Sequence, residues 1–156
     1  MERVHRTSAR VLPVNAAGEV LLLQFADPGR PADPPHWATV GGGLDAGETP
    51  AEAALRELWE ETGIKVAAED LMGPVHQEVH DYSWNGGDYR ADSTYFATAV
   101  AGDVDVTFDN LEAAEIGYAL KAAWWTPEGL RDDGTASSDE VADIMEIAIN
   151  AVRGES

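Results

Sequence analysis

Three carboxylates, Glu57, Glu60 and Glu61, fall within five consecutive residues, with Arg56 beside them and the run Gly41-Gly42-Gly43 upstream. At ~100° per residue on a helix, the three acids share one narrow arc. Ala51, Ala54, Leu55, Leu58 and Thr62 fall on a neighbouring arc suited to a core. Like charges placed this way repel by roughly a few tenths of a kcal/mol per pair. A divalent cation among them offsets that cost, because hard cations such as Mg²⁺ take carboxylate oxygens. The plain alternative is a solvated acidic helix. It explains neither the glycines nor the spacing.

The element that must carry these acids is specified locally. Thr49 predicts an N-cap, Pro50 the first helical residue, and Glu52 the far half of a T-x-x-E capping box. Gly63 stands where a left-handed residue would end the helix. Glu52 with Arg56, and Arg56 with Glu60, are i,i+4 pairs, so Arg56 is expected to brace the acidic face. A helix anchored at both ends is a rigid mount for ligands.

The stretch from Gly42 to Ile64 resembles the Nudix hydrolase signature, G-x5-E-x7-R-E-U-x-E-E-x-G-U, in which U is aliphatic. Gly42, Glu48, Arg56-Glu57-Leu58, Glu60-Glu61 and Gly63-Ile64 fill every specified position. With ordinary residue usage a chance match in so short a chain arises well below about one in a million times. Trp37 before the glycines, and Trp124-Trp125-Thr126-Pro127-Glu128 with Leu130, are similar to flanking features of the family. Val40 departs from it, since proline often precedes the glycine pair. That departure bears on the shape of the loop rather than on the acids.

The resemblance implies an α/β fold, an α/β/α sandwich with a mixed β-sheet between helices. It implies Mg²⁺-dependent hydrolysis, with Mn²⁺ as a substitute, of a nucleoside diphosphate linked to another group, by water attack at phosphorus. Glu57, Glu60 and Glu61 would then hold the metal, with a backbone carbonyl of Gly42 or Gly41 as a further ligand and Arg56 orienting the glutamates. Glu48 would support the turn or the metal shell. The general base is Glu57, or a downstream acid at Glu112 or Glu115. Arg6, Arg10 and Arg90 are candidate phosphate contacts because basic residues are scarce here, and Gly41 and Gly43 border the same site. Nucleoside triphosphates, ADP-ribose, nucleotide sugars and dinucleoside polyphosphates all fit, since specificity lies in loops outside the signature. A catalytically inactive Nudix-fold module that binds nucleotides for regulation fits the same fold, as does an acidic interaction protein with an incidental motif.

With 156 residues and 44% apolar content, the chain reads as one domain over residues 1–156 with a substantial core. It has no cysteine, which excludes disulfides and thiolate metal sites. No apolar run reaches membrane-spanning length, and Met1-Glu2-Arg3 does not open a signal peptide, so a cytoplasmic location without membrane attachment is expected. A formal charge of −19 argues against nucleic acid as a partner, because a phosphate backbone needs a basic surface. It also sharpens the problem for any phosphorylated substrate, which needs local cations that bound Mg²⁺ could supply; the partner that the resemblance implies is a nucleotide-type diphosphate small molecule. A homodimer is compatible with the sequence.

Along the chain, Val4–Val14 and Glu19–Phe25 predict strands about the turn Asn15–Gly18. Residues 27–35 hold four prolines and a glycine and predict a loop. Trp37–Val40 predicts a short strand into the glycine turn, with Trp37 as packing rather than a stacking platform. Ile64–Ala67 reads as an edge strand. Val75–Tyr82 and Tyr89–Val100 predict a hairpin around Asn85-Gly86-Gly87-Asp88. Trp84 and Tyr89 flank it as candidate base contacts. His76, His80 and Asp81 read as exposed strand residues rather than metal ligands, the H-x3-H spacing being that of a helix. Val104–Phe108 predicts a strand, Asp109–Glu115 a turn, Tyr118–Trp125 a strand and Pro127–Leu130 a helical turn. Asp132–Ser138 is a loop. The last helix, about Asp139–Val152, is capped by Ser137 and Glu140 and buries Val141, Ile144, Met145, Ala148, Ile149 and Val152.

Overall fold

The computed structural model describes residues 3–111 and 119–154. Its elements are β1 (Val4–Val14), β2 (Val20–Phe25), β3 (His36–Ala38), β4 (Val40–Gly43), α1 (Pro50–Thr62), a 3-10 turn at Ala68–Asp70, β5 (Met72–Trp84), β6 (Gly87–Ala99), β7 (Ala119–Trp125), α2 (Pro127–Asp133) and α3 (Glu140–Arg153). The strands form one mixed sheet in the order β3-β2-β1-β6-β5, with β4 paired to β1 and β7 to β2. β1 runs parallel to β6 over its whole length, from Val4 opposite Tyr89 to Val14 opposite Ala99. Its other side is divided. Ser8–Val11 pair antiparallel with β4, and Val14 pairs with Val20 of β2.

Alternation along β1 sends side chains to two cores. Leu12 and Val14 join Leu22, Tyr95, Met145 and Ile149 under α3. Ala9 and Val11 join Leu23, Phe96, Ala53, Ala54 and Leu58 under α1. Each fully buried Leu or Met contributes about 1.5–3 kcal/mol, and Leu12, Leu22, Leu58 and Met145 are all wholly enclosed. The sheet is therefore covered on both faces, as the resemblance implies.

α1 has the predicted termini. Thr49 caps the Glu52 amide, Glu52 returns the bond to the Thr49 amide, and Gly63 ends the helix at φ 77°. On its core side Ala53 takes the place expected for Leu55, which is only partly buried. The hairpin turns through two residues, Asn85 and Gly86, both at positive φ, rather than four. Its tip is pinned to the proline-rich loop: Asp27 Oδ1 accepts from the amides of Asn85 and Gly29, each at 2.8 Å. Trp84 packs edge-on to Phe25, with ring centroids 6.4 Å apart.

Further expectations are corrected. The glycines are strand rather than turn, because residues 40–43 have the β1 edge to pair with. Ile64–Ala67 is not a strand. Ile64 and Val66 pack onto the α1-side core, but the backbone there has no ladder partner among the described residues. Val104–Phe108 is likewise irregular: its alternating apolar side chains reach the same core, while the Thr107 amide bonds to the Thr62 carbonyl at the end of α1 (2.8 Å). Finally, the Ser137–Glu140 box does not form. The Ser137 amide is taken by the Trp37 carbonyl at 2.8 Å, and α3 begins after Asp139 without a side-chain cap. α2 extends beyond the single predicted turn, to Asp133. The expected turn at Asp109–Glu115 lies partly outside the described residues, as does Tyr118.

Candidate active site

α1 presents Glu57, Glu60 and Glu61 on one arc toward β4, and all three are buried, at 7%, 6% and 1% exposure. Burial of clustered carboxylates is costly unless charge and hydrogen bonds compensate. Arg56 supplies much of the compensation. Its Nε donates to Glu48 Oε2 at 2.7 Å and its Nη1 to Glu60 Oε1 at 2.6 Å and Glu57 Oε1 at 3.1 Å. Nη2 reaches Glu48 Oε1 at 2.9 Å and the Gly43 carbonyl at 3.0 Å. These carboxylates, Glu48 foremost, hold the guanidinium well above its ordinary pKa. In return Arg56 holds the Glu48 carboxyl below the usual carboxylate range. The expected Glu52–Arg56 pair is replaced by Glu48 and Asp45, because Glu52 is spent on the cap.

Glu48 also accepts from the Asp45 amide at 2.8 Å, closing the turn between β4 and α1. Glu61 reaches the sheet itself: its Oε1 accepts from the Gly41 amide at 2.7 Å. The glycines make this approach feasible. A Cβ on Gly42 would lie 2.8 Å from Glu57 Oε1, and one on Gly41, at φ 143°, would lie 2.2 Å from the Ala9 carbonyl. The strand edge is bare so that the carboxylates can lie against its backbone.

The predicted cations are dispersed. Arg10 donates to the Thr39 and Gly41 carbonyls at 3.1 and 3.2 Å, which places it on the glycine strand beside the acids. Arg6 lies 4.5 Å over the Tyr89 ring, and Arg90 is paired with Asp81 at 2.7 Å on the exposed hairpin. Glu112 and Glu115 lie outside the described residues. Trp37 is core, packed edge-on to Trp125. Along β5 the sequence argument about His76 and His80 needs correction, since residues four apart share a face of a strand as well as of a helix. Both flank Glu78 on that face. Sequence reasoning had passed over Glu78, although its alternation with the two histidines was the available signal. Among the described residues no three His, Cys, Asp or Glu side chains are already drawn together as a metal cage. The donor set nevertheless suits a hard cation, since buried carboxylates on one arc outnumber the guanidinium that braces them.

A family model for the NUDIX domain matches residues 4–143. The chain belongs to the NUDIX family. An RNA pyrophosphohydrolase of Novosphingobium aromaticivorans is 32% identical over 139 residues, 82% of this chain and 81% of that protein. One from Cereibacter sphaeroides is 45% identical over 60 residues, 38% of this chain and 35% of the relative, so that match spans about a third of the relative's length. Among solved structures, the Escherichia coli dihydroneopterin triphosphate pyrophosphohydrolase superposes with a TM-score of 0.69 at 23% identity, covering 96% of this chain and 100% of its own. That likeness establishes a NUDIX fold. No helix among the described residues is long and apolar enough to cross a membrane.

Proposed function

We propose that this NUDIX chain is a Mg²⁺-dependent pyrophosphohydrolase, with Mn²⁺ as a substitute, that cleaves a nucleoside diphosphate linked to another group. The observation that carries this reading is the burial of Glu57, Glu60 and Glu61 on one arc of α1, against the amide edge of β4. Bound there, the metal would neutralise a diphosphate and lower the pKa of an attacking water. Glu57, Glu60 and Glu61 would hold it, with a carbonyl of Gly42 or Gly41. Arg56 orients the carboxylates, and Glu48 locks Arg56 and the turn. Arg10, with the backbone of Gly41 and Gly43, would meet phosphate, a reading supported by its bonds to the Thr39 and Gly41 carbonyls, while Arg90 pairs with Asp81 and Arg6 lies over Tyr89. The base is Glu57 or an acid in the 112–115 segment.

The relatives are named for RNA, but a chain of formal charge −19 is ill suited to a long phosphate backbone, so a nucleotide-sized substrate is preferred. The test is product analysis on a panel of nucleoside triphosphates, ADP-ribose, nucleotide sugars, dinucleoside polyphosphates and a 5′-triphosphorylated RNA. Nucleotide-sized compounds should release a nucleoside monophosphate or phosphate with Mg²⁺ and not in excess EDTA. Undiminished turnover in EDTA would sink the metal-dependent reading. Absence of cleavage across the panel would leave a binding module instead.

A further inference from the structure

The face of the sheet that continues beyond the α3 core carries a polar grid in strict register. Ser8 of β1 lies opposite Ser93 of β6, and Ser93 opposite Glu78 of β5. One step along, Arg10, Tyr95 and His76 form the next row. Paired residues of adjacent strands share a face, so these side chains converge. Glu78 is its centre. Oε1 accepts from the Tyr95 hydroxyl at 3.0 Å, and Oε2 lies 3.4 Å from His76 Nε2. Burial, with Glu78 adding to it, pushes the Tyr95 phenol far above its ordinary range, so that it stays a donor.

Two atoms here want partners. Ser93 is wholly buried, and its Oγ has no hydrogen-bond partner among the described residues. His80 Nδ1 faces Glu78 Oε1 at 3.5 Å and makes no hydrogen bond among the described residues, although its ring is 37% exposed. Buried polar groups of this kind normally have a protein or water partner, so orphans point to something missing. Glu78 itself keeps 23% of its side chain exposed, open to a ligand. Three strand spacings of ~4.8 Å place this row roughly 14 Å from β4, about the reach of a nucleoside monophosphate.

We infer that Glu78 reads the base of the nucleotide, selecting one that offers two adjacent N–H donors to its carboxylate, the 2-amino-oxo edge of guanine. The inference rests on the proposed phosphate end at β4 for its orientation. The selection follows from donor arithmetic. A carboxylate accepts at both oxygens and donates at neither. Guanine presents N1–H beside N2–H₂ and can engage both oxygens at once. Adenine and cytosine each present one amino group beside a ring acceptor, which would face a carboxylate lone pair. Uracil offers a single N–H between two carbonyls. His76 and His80 flank the carboxylate and can supply a donor for the guanine O6.

Monophosphates contain no anhydride, so binding separates base selection from hydrolysis. Calorimetric titration with GMP, IMP and AMP should rank them in that order, with GMP about tenfold or more tighter than AMP, the worth of a charge-assisted hydrogen bond. IMP, lacking the 2-amino group, should fall between. Glu78→Gln should erase the GMP advantage while leaving AMP binding within about twofold, and the parent ranking stands as a test even if the variant misfolds. AMP binding as tightly as GMP, or a folded Glu78→Gln that keeps the full preference, overturns the inference. Equal cleavage of all bases would overturn it too while sparing the hydrolase reading. A GMP preference without any cleavage would leave it standing and defeat the hydrolase.

Discussion

Arg56→Met tests whether the site is held by charge or merely by packing. The variant keeps an unbranched apolar stem but removes bonds to Glu48, Glu57, Glu60 and the Gly43 carbonyl. Exposed ion pairs contribute up to about 1 kcal/mol, while removing one partner of a buried pair costs about 3–5 kcal/mol. Arg56 keeps 22% of its side chain exposed, against 14%, 9% and 8% for Glu48, Glu57 and Glu60, so the site lies nearer the buried limit. A loss of about 2–4 kcal/mol is expected, or a fall in Tm of roughly 5–12 °C for a chain this size. The pH dependence supplies the sign. Arg56 depresses the folded pKa of Glu48, so its stabilisation is fully present above the ordinary carboxylate range and is lost as pH falls through the depressed value. The gap between parent and variant should therefore be widest near neutrality and close progressively below about pH 4.5. Melting curves by circular dichroism from pH 7 to pH 3 would show it. Equal Tm at pH 7, or a gap unchanged down to pH 3, would refute the electrostatic account.

Glu61→Gln keeps an acceptor for the Gly41 amide while removing a buried charge beside Glu57 and Glu60. The metal-free variant should match the parent or gain roughly 0.3–1 kcal/mol. Mg²⁺ at ten to a hundred times its Kd should stabilise the parent by about 1.4–2.7 kcal/mol and the variant much less, with turnover down about a hundredfold or more; a variant with the parent's Mg²⁺ shift and activity would contradict the assignment. Gly41→Ala forces a Cβ to 2.2 Å from the Ala9 carbonyl at a φ that side chains avoid. It should cost about 3 kcal/mol or more, and urea denaturation showing a loss below 1 kcal/mol would mean that β4 can move away.

The mount of the site could be read from the chain because its determinants are local. Thr49, Pro50, Glu52 and Gly63 act within one helix, and each does what its type predicts. Arg56 was identified as the brace, but its partners were only half foreseen, since Glu48 lies eight residues away and approaches through a turn rather than along the helix. The misread strands, Ile64–Ala67 and Val104–Phe108, fail for a non-local reason. Their apolar side chains do reach the core, yet a strand also needs a neighbour with free backbone groups, which sequence does not display. The glycine run erred in the opposite direction. Its composition suggested a turn, whereas the bare strand it forms is called for by the carboxylates of α1. Glu78 went unnoticed because its meaning depends on Ser93 and Tyr95, fifteen or more positions away and joined to it only by register.

The parallel pairing of β1 with β6 also governs how this molecule must be made. Each residue of β1 meets a partner 85 positions later, as Val4 meets Tyr89. A chain leaving the ribosome N-terminus first can lay β4 and α1 against β1 once residue 62 has emerged, but the opposite flank of β1 waits for residue 99. Through that interval the nascent protein displays a long open strand edge, the kind of surface that recruits other chains. Basic side chains stand along it at Arg6 and Arg10, in a protein that otherwise spends few of them. On an unfinished sheet, like charges of that kind disfavour edge-to-edge pairing between two copies that have not yet grown their own β6.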